Sequence, residues 1–175
     1  MKRLIIALII GALGGGFAGF ATGIFVYPFW FLNDVANETL ATNVERTRVA
    51  AGEFIHVNQS DPVHWGKGSV SVFREAQDRT IVHLGDDFVV GPGPRFHVYL
   101  VDKAEVRSGD DFIASTKVDL GRLRAFQGSQ IYPVPPGVDV STFRSVVVWC
   151  KEFGVLISPA TLNKFTAGIA SLGLD

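Results

Sequence analysis

The side chains best suited to chemistry in this sequence are one cysteine and four histidines. Cys150 lies in the run Ser145–Lys151, whose β-branched residues are typical of a buried strand. A thiol there has two interpretations. It is either a small packed hydrophobe, or a reactive thiolate that ligates a haem iron or cycles through sulfenic acid or an intermolecular disulfide. Strand alternation places Cys150 and Trp149 on opposite faces.

The histidines and paired carboxylates give weaker signals. The four histidines are His56, His64, His83 and His97. No two of them have the i, i+2 or i, i+4 spacing that aims both rings at one metal, so the sequence predicts no metal centre. Asp86-Asp87 and Asp110-Asp111 are paired carboxylates that could suggest acid–base chemistry. Neighbouring side chains in a strand face opposite ways, however, and aspartate favours turns, so both pairs are interpreted as turns.

Composition narrows the functional classes. The 175 residues are 47% hydrophobic and 19% charged, which suits one domain with an appendage. A net charge of -1 lacks the basic excess of a nucleic-acid-binding protein. The sequence also lacks the Gly-x-Ser-x-Gly, Gly-x-Gly-x-x-Gly and phosphate-loop motifs, which disfavours hydrolases, dehydrogenases and nucleotide-binding proteins.

The N-terminal segment predicts a membrane anchor over residues 1–32. No charged residue occurs from Leu4 to Leu32, and about 20 apolar helical residues suffice to cross a bilayer. Lys2 and Arg3 precede the run, which favours a cytoplasmic N-terminus and an extracytoplasmic C-terminal domain. A cleaved signal peptide is the alternative, although its apolar core is usually shorter, at about 7–15 residues.

Four glycines recur every four residues along this predicted helix: Gly11, Gly15, Gly19 and Gly23. They fall on one helical stripe, where a second helix could approach closely, so the spacing predicts self-association. The alternative is that glycine is simply common in membrane helices.

The rest of the chain predicts an all-β domain. Residues 33–50 are interpreted as a polar tether, helical around 38–44, before the period changes to that of strands. The predicted strands are Gly52–Val57, Ser69–Arg74, Thr80–Leu84, Phe88–Val90, Phe96–Val101, Thr116–Leu120, Gln130–Val134, Ser145–Cys150 and Gly154–Ile157. Short strands between turn residues indicate an antiparallel β-sandwich or barrel-like domain over residues 51–162. Ala160–Leu172 is predicted as a closing helix, within a C-terminal tail at 163–175.

Four stretches carry motifs in a fixed order. They are Gly52-Glu53-Phe54 with His64 and Gly68; Leu84 and Phe88 leading through Gly91-Pro92-Gly93-Pro94 to Phe96-His97-Val98-Tyr99-Leu100; Leu120-Gly121-Arg122-Leu123 with Gly128–Pro133; and Val147–Val155 with Ala160 and Leu162. Together they resemble the DM-thirteen family, also called the electron-transfer DM domain, from about Ala51 to Leu162. One departure is Gly91-Pro92-Gly93-Pro94-Arg95, which has two extra residues and lacks the aspartate of the family's Gly-Pro-Asp.

The resemblance implies an all-β domain whose cysteine is the suspected functional atom, either as a bare thiol or by holding a prosthetic group such as haem. That role would fall on Cys150. His64 and His97 also match family positions, and either could be a second axial ligand of a thiolate-held iron. The resulting hypothesis is a membrane-anchored redox module, with a redox partner protein, rather than an enzyme that turns over a substrate.

The alternative hypothesis is a non-enzymatic cell-surface module. It would bind a protein or glycan through loops such as 90–96 and 101–115, and Cys150 would only be packed.

Overall fold

The computed structural model describes residues 2–31, 35–76 and 79–165. The helices are α1 (Lys2–Phe31) and α2 (Gly109–Ile113), with a short 3₁₀ turn at Val140–Thr142. The strands are β1 (Val35–Asn37), β2 (Arg46–Phe54), β3 (Gly66–Glu75), β4 (Thr80–Leu84), β5 (Val89–Val90), β6 (Phe96–Val101), β7 (Lys117–Arg122), β8 (Gln127–Pro133), β9 (Ser145–Cys150), β10 (Val155–Thr161) and β11 (Asn163–Lys164). The predicted all-β class with one N-terminal apolar helix is confirmed.

Helix α1 forms a unit of its own, separate from the unit that follows Asn33. Its segment Ile5–Ile24 has a mean hydropathy of 2.0, so it is long and apolar enough to cross a membrane. A signal sequence would have the same features. The helix runs unbroken through the glycine stripe, and self-association through that stripe stays a prediction.

The strands form one large sheet in the order β1-β8-β4-β3-β2-β10-β9-β6-β7, with β5 and β11 pairing to its side. Every pairing is antiparallel except that of β1 with β8. The sheet curls so that β8, near one end of this order, approaches β7 at the other end. The Tyr132 hydroxyl of β8 donates to the Arg122 carbonyl of β7 at 3.4 Å. The fold is therefore barrel-like and matches the predicted class.

The two faces of the central strands bury different clusters. The larger cluster lies inside the curl and takes Val72, Val98, Val148 and Cys150 among others. The smaller cluster lies on the opposite face of β6 and β9 and consists of Tyr99, Val101, Val106, Phe112, Val147 and Trp149. The predicted placement of Cys150 and Trp149 on opposite faces is confirmed.

The predicted tether is wrong in its local structure. Its residues contain strand β1 and the first half of β2, and no helix forms around 38–44. The reason is a long-range anchor. The Glu38 carboxylate accepts two hydrogen bonds from Arg124 at 2.6 and 2.8 Å and one from the Ile131 amide at 2.8 Å. This segment is therefore part of the folded unit, which begins at Asp34.

Two further predictions need correction. The closing helix is wrong for residues 160–164, because Ala160 and Thr161 pair with β9 and residues 163–164 pair with β2. Residues 166–172 of that prediction lie outside the described residues. The turn predicted at Asp110-Asp111 is the one-turn helix α2, since Ser108 and Asp111 form a capping box.

Candidate functional site

Cys150 is the last residue of β9, and its side chain is 2% exposed in the larger cluster. The thiol donates a hydrogen bond to the Pro94 carbonyl, with a sulfur–oxygen distance of 3.2 Å. The next residues, Lys151 and Glu152, are exposed in a turn. The sulfur is thus buried, but only at the end of its strand.

The segment over this thiol is the loop Gly91–Arg95. Gly93 must lack a side chain, because a Cβ there would lie 2.4 Å from the Phe96 ring. Arg95 has a φ of 48°, a left-handed backbone conformation that is uncommon for a residue other than glycine. The loop is tied down by the Lys151 amide, which donates to the Arg95 carbonyl at 3.2 Å, and by an exposed Arg95–Glu152 ion pair at 3.3 Å.

His97 belongs to a polar cluster on the opposite face of β6, centred on Asp119 of β7. The Asp119 carboxylate accepts hydrogen bonds from His97 Nδ1 at 2.9 Å, Lys151 Nζ at 2.9 Å, the Tyr99 hydroxyl at 3.2 Å and the Gly121 amide at 2.9 Å. The pairing of β6 with β7 shifts between Val98 and Tyr99, where Gly121 has a φ of 119°. This bulge brings the Asp119 carboxylate within hydrogen-bonding distance of the His97 and Tyr99 side chains.

Hydrogen bonds and burial together determine the charge states of the groups in this cluster. Burial opposes ionisation of Asp119, but the bonds from Lys151 and His97 outweigh it and lower the pKa of the carboxyl to about 2. The bond to Asp119 raises the pKa of Lys151. Burial and the nearby carboxylate raise the pKa of Tyr99. At neutral pH the cluster therefore holds a carboxylate, an ammonium and a neutral phenol, with the Nδ1 proton of His97 directed at Asp119.

Tyr99 continues into a row of aromatic rings. It contacts Phe112 edge-on, with ring centroids 5.1 Å apart, and Phe112 stacks on Trp149 at 4.2 Å. Helix α2 provides Phe112, so this short helix covers the smaller cluster. The row joins the Asp119 cluster to the region around Trp149.

His64 lies in a different place, on the loop between β2 and β3. Its Nδ1 donates to Asp61 Oδ2 at 2.7 Å, and the same carboxylate accepts the Val63 and His64 amides at 2.9 and 3.0 Å. The bonds from His64 contribute most to holding the pKa of Asp61 far below its ordinary value. His64 lines a cavity of about 320 Å³.

Comparison with known families agrees with the motif order. Residues 54–162, well over half of the chain, match the model of the family described as Electron transfer DM13. The chain belongs to this family. No curated protein and no solved structure matches it. The chain is thus a DM13 domain that carries an N-terminal apolar helix.

The DM13 domain does not bring the three predicted site residues together. Cys150 points into the larger cluster, whereas His97 binds Asp119 on the other face of the sheet, so the two cannot ligate one iron in this arrangement. His64 lies with Asp61 beside a cavity that Cys150 does not line. Each residue therefore has a separate environment.

A haem does not fit at Cys150. The sulfur is enclosed by core side chains and bonded to a backbone carbonyl, which leaves no open face for a porphyrin. Within residues 2–31, 35–76 and 79–165, no three His, Cys, Asp or Glu side chains are grouped so as to hold a metal ion. The haem expectation therefore finds no support in the geometry of these residues.

Sequence reasoning missed the partners of both histidines. Asp61 could have been found, because it stands three residues before His64 and aspartate commonly bonds nearby backbone amides. Asp119 gives no such signal, since its contact with His97 depends on the bulge between β6 and β7. Arg107 also lines the His64 cavity and carries no motif.

Proposed function

We propose that this DM13 chain is a membrane-anchored, extracytoplasmic electron-transfer module in which Cys150 is the redox-active atom. Family membership supports electron transfer, and helix α1 supports the anchor. The main support for a redox role of Cys150 is its position at the end of β9, beneath the loop 91–95. Few hydrogen bonds and ion pairs hold this loop in place. Opening residues 91–95 would expose the sulfur without unfolding the sheet.

Thiol–disulfide exchange at a lone thiol requires sulfur atoms from a partner. When the Cys150 thiolate attacks a disulfide of a partner protein, one S–S bond forms, one breaks, and the partner releases a thiolate that takes up a proton. The resulting mixed disulfide holds Cys150 oxidised and one partner sulfur reduced. A thiolate of a second partner protein then attacks the first partner's sulfur in this mixed disulfide. A disulfide between the two partners forms, the bond to Cys150 breaks, and Cys150 leaves as a thiolate that takes up a proton.

The test is the rate at which N-ethylmaleimide modifies Cys150 in the full chain in detergent micelles, read by mass spectrometry. Local opening predicts a rate that hardly changes at low denaturant concentration, because little surface is exposed. Glu152→Ala removes the Arg95 ion pair and should raise the rate several-fold, whereas Glu105→Ala, at another exposed position, should not. Modification only through global unfolding would contradict the proposal.

The second candidate function is a non-enzymatic binding module with a packed cysteine. The 2% exposure of Cys150 and its bond to Pro94 favour it. Cys150→Ser places a hydroxyl near the same carbonyl, so this hypothesis expects biological activity to persist in the variant. Loss of activity in a folded Cys150→Ser protein would instead support the redox role.

A further inference from the structure

The cavity beside His64 combines an apolar wall with a few polar groups. Its volume is about 320 Å³, which is in the range of small-molecule sites. The lining comes from three separate parts of the fold: the loop after β2, the segment before α2 and the start of β10. The apolar side chains are Val57, Val155, Leu156 and Ile157, and the polar residues are Asn58, Asp61, His64, Arg107 and Ser108.

His64 is held so that one ring nitrogen is left for a ligand. Its Nδ1 donates to Asp61, which also accepts the amides of Val63 and His64. The Asp61 charge is thus engaged by three donors and fixes the orientation of the ring. His64 Nε2 has no hydrogen-bond partner among residues 35–76 and 79–165, and it can donate to an acceptor when the ring is protonated.

Arg107 supplies a positive charge without a local counterpart. Its side chain is exposed and forms no ion pair with any residue that the structure describes. Glu105 and Asp110 lie two and three residues from Arg107, and neither forms an ion pair with it. Asp111 is paired with Lys103 and accepts the amides of Arg107 and Ser108. The guanidinium therefore remains available for an anion in the cavity.

Trp149 lies directly beneath two glycines of the cavity lining. A Cβ on Gly109 would be 3.6 Å from Trp149 Cη2, and one on Gly154 would be 3.9 Å from Trp149 Cζ2. The indole edge thus lies next to two residues of the cavity lining, and its NMR resonance should respond to a ligand in the cavity. The same ring stacks on Phe112, at the end of the aromatic row that begins at Tyr99.

We propose that this cavity binds a small organic carboxylate with an apolar body. Arg107 pairs with the carboxylate, and the Val155–Ile157 wall covers the apolar part. His64, when its ring is protonated, contributes a second hydrogen bond from Nε2. The site does not depend on the redox role of Cys150, which lies outside the lining. A phosphate alone would leave the apolar wall uncovered.

The test uses the full chain in zwitterionic micelles, with benzoate as the probe and the Trp149 indole NMR resonance as the readout. Trp149→Phe assigns that resonance. Benzoate should shift it saturably, whereas benzyl alcohol, acetate and inorganic phosphate should bind more weakly. Arg107→Gln should weaken benzoate binding about tenfold or more, because hydrogen bonds to charged groups are among the strongest. His64→Gln should weaken it by a smaller factor.

Arg144→Gln is the matched control, since Arg144 is exposed and lies outside the cavity lining. It should leave the affinity unchanged. Because Arg107 is exposed, its replacement should not unfold the chain, and near-UV circular dichroism checks this. Equal binding of benzyl alcohol and benzoate, equal effects of the two arginine variants, or the absence of a saturable shift would each overturn the proposal.

Discussion

At the residue scale, the Asp119 carboxylate accepts more hydrogen bonds than any other group near the predicted site residues. Its folded pKa of about 2 lies below the ordinary value of 3.8. The resulting stabilisation is therefore present above pH 3.8 and is lost as the pH falls through about 2. We expect Asp119→Asn to lower the free energy of unfolding by about 1 kcal/mol at neutral pH, after allowance for solvent screening at this partly exposed carboxylate.

Urea unfolding of both proteins at pH 7 and at decreasing pH measures this effect. The difference between wild type and Asp119→Asn should shrink as the pH approaches 2. Asp110→Asn is the control, because Asp110 is an exposed aspartate on α2 that makes no side-chain hydrogen bond within the described ranges. Equal stability of wild type and Asp119→Asn at pH 7 would show that the network contributes nothing.

At the element scale, strand β1 depends on one carboxylate. Glu38 follows β1 and binds Arg124 through two hydrogen bonds while also accepting the Ile131 amide of β8. Glu38→Ala should reduce the free energy of unfolding by about 1–2 kcal/mol, because charge-assisted and bidentate bonds exceed ordinary ones. It should also speed amide hydrogen exchange in the residues flanking β1.

Glu152→Ala provides a matched comparison for Glu38→Ala. It breaks another Arg–Glu pair, in which both side chains are about half exposed. Such surface pairs contribute about 0–1 kcal/mol, so its unfolding free energy should stay near that of wild type. If the two variants lost the same stability, the special role of Glu38 in docking β1 would be wrong.

The difference between local and long-range contacts explains which parts of the fold could be predicted from the sequence. Strands β4, β6 and β9 were predicted with correct bounds, since their apolar runs are local signals that nearby turn residues delimit. Strand β1 was missed because it has three residues and its partner β8 lies about ninety residues away. Likewise, the His64–Asp61 contact is local, whereas the His97–Asp119 contact needs the sheet register.

At the scale of the whole molecule, α1 and the DM13 domain are separate units. The membrane topology can be tested with single cysteines introduced before α1 and in the domain. In a Cys150→Ser background, Ser60→Cys places a thiol on an exposed loop of the domain and Lys2→Cys places one before α1. Lys2 and Arg3 favour a cytoplasmic N-terminus. A membrane-impermeant maleimide added to intact cells should therefore label Ser60→Cys but label Lys2→Cys only after permeabilisation.

The mass of the labelled chain separates the anchor from its alternative. An uncleaved anchor predicts the full-length mass in the membrane fraction, since a spanning helix of this hydropathy is held there by its apolar surface. A shorter Ser60→Cys product released from the membrane would instead identify α1 as a signal sequence. Labelling of Lys2→Cys alone in intact cells would reverse the orientation, and the DM13 domain would then face a reducing cytoplasm, where a stable mixed disulfide at Cys150 is disfavoured.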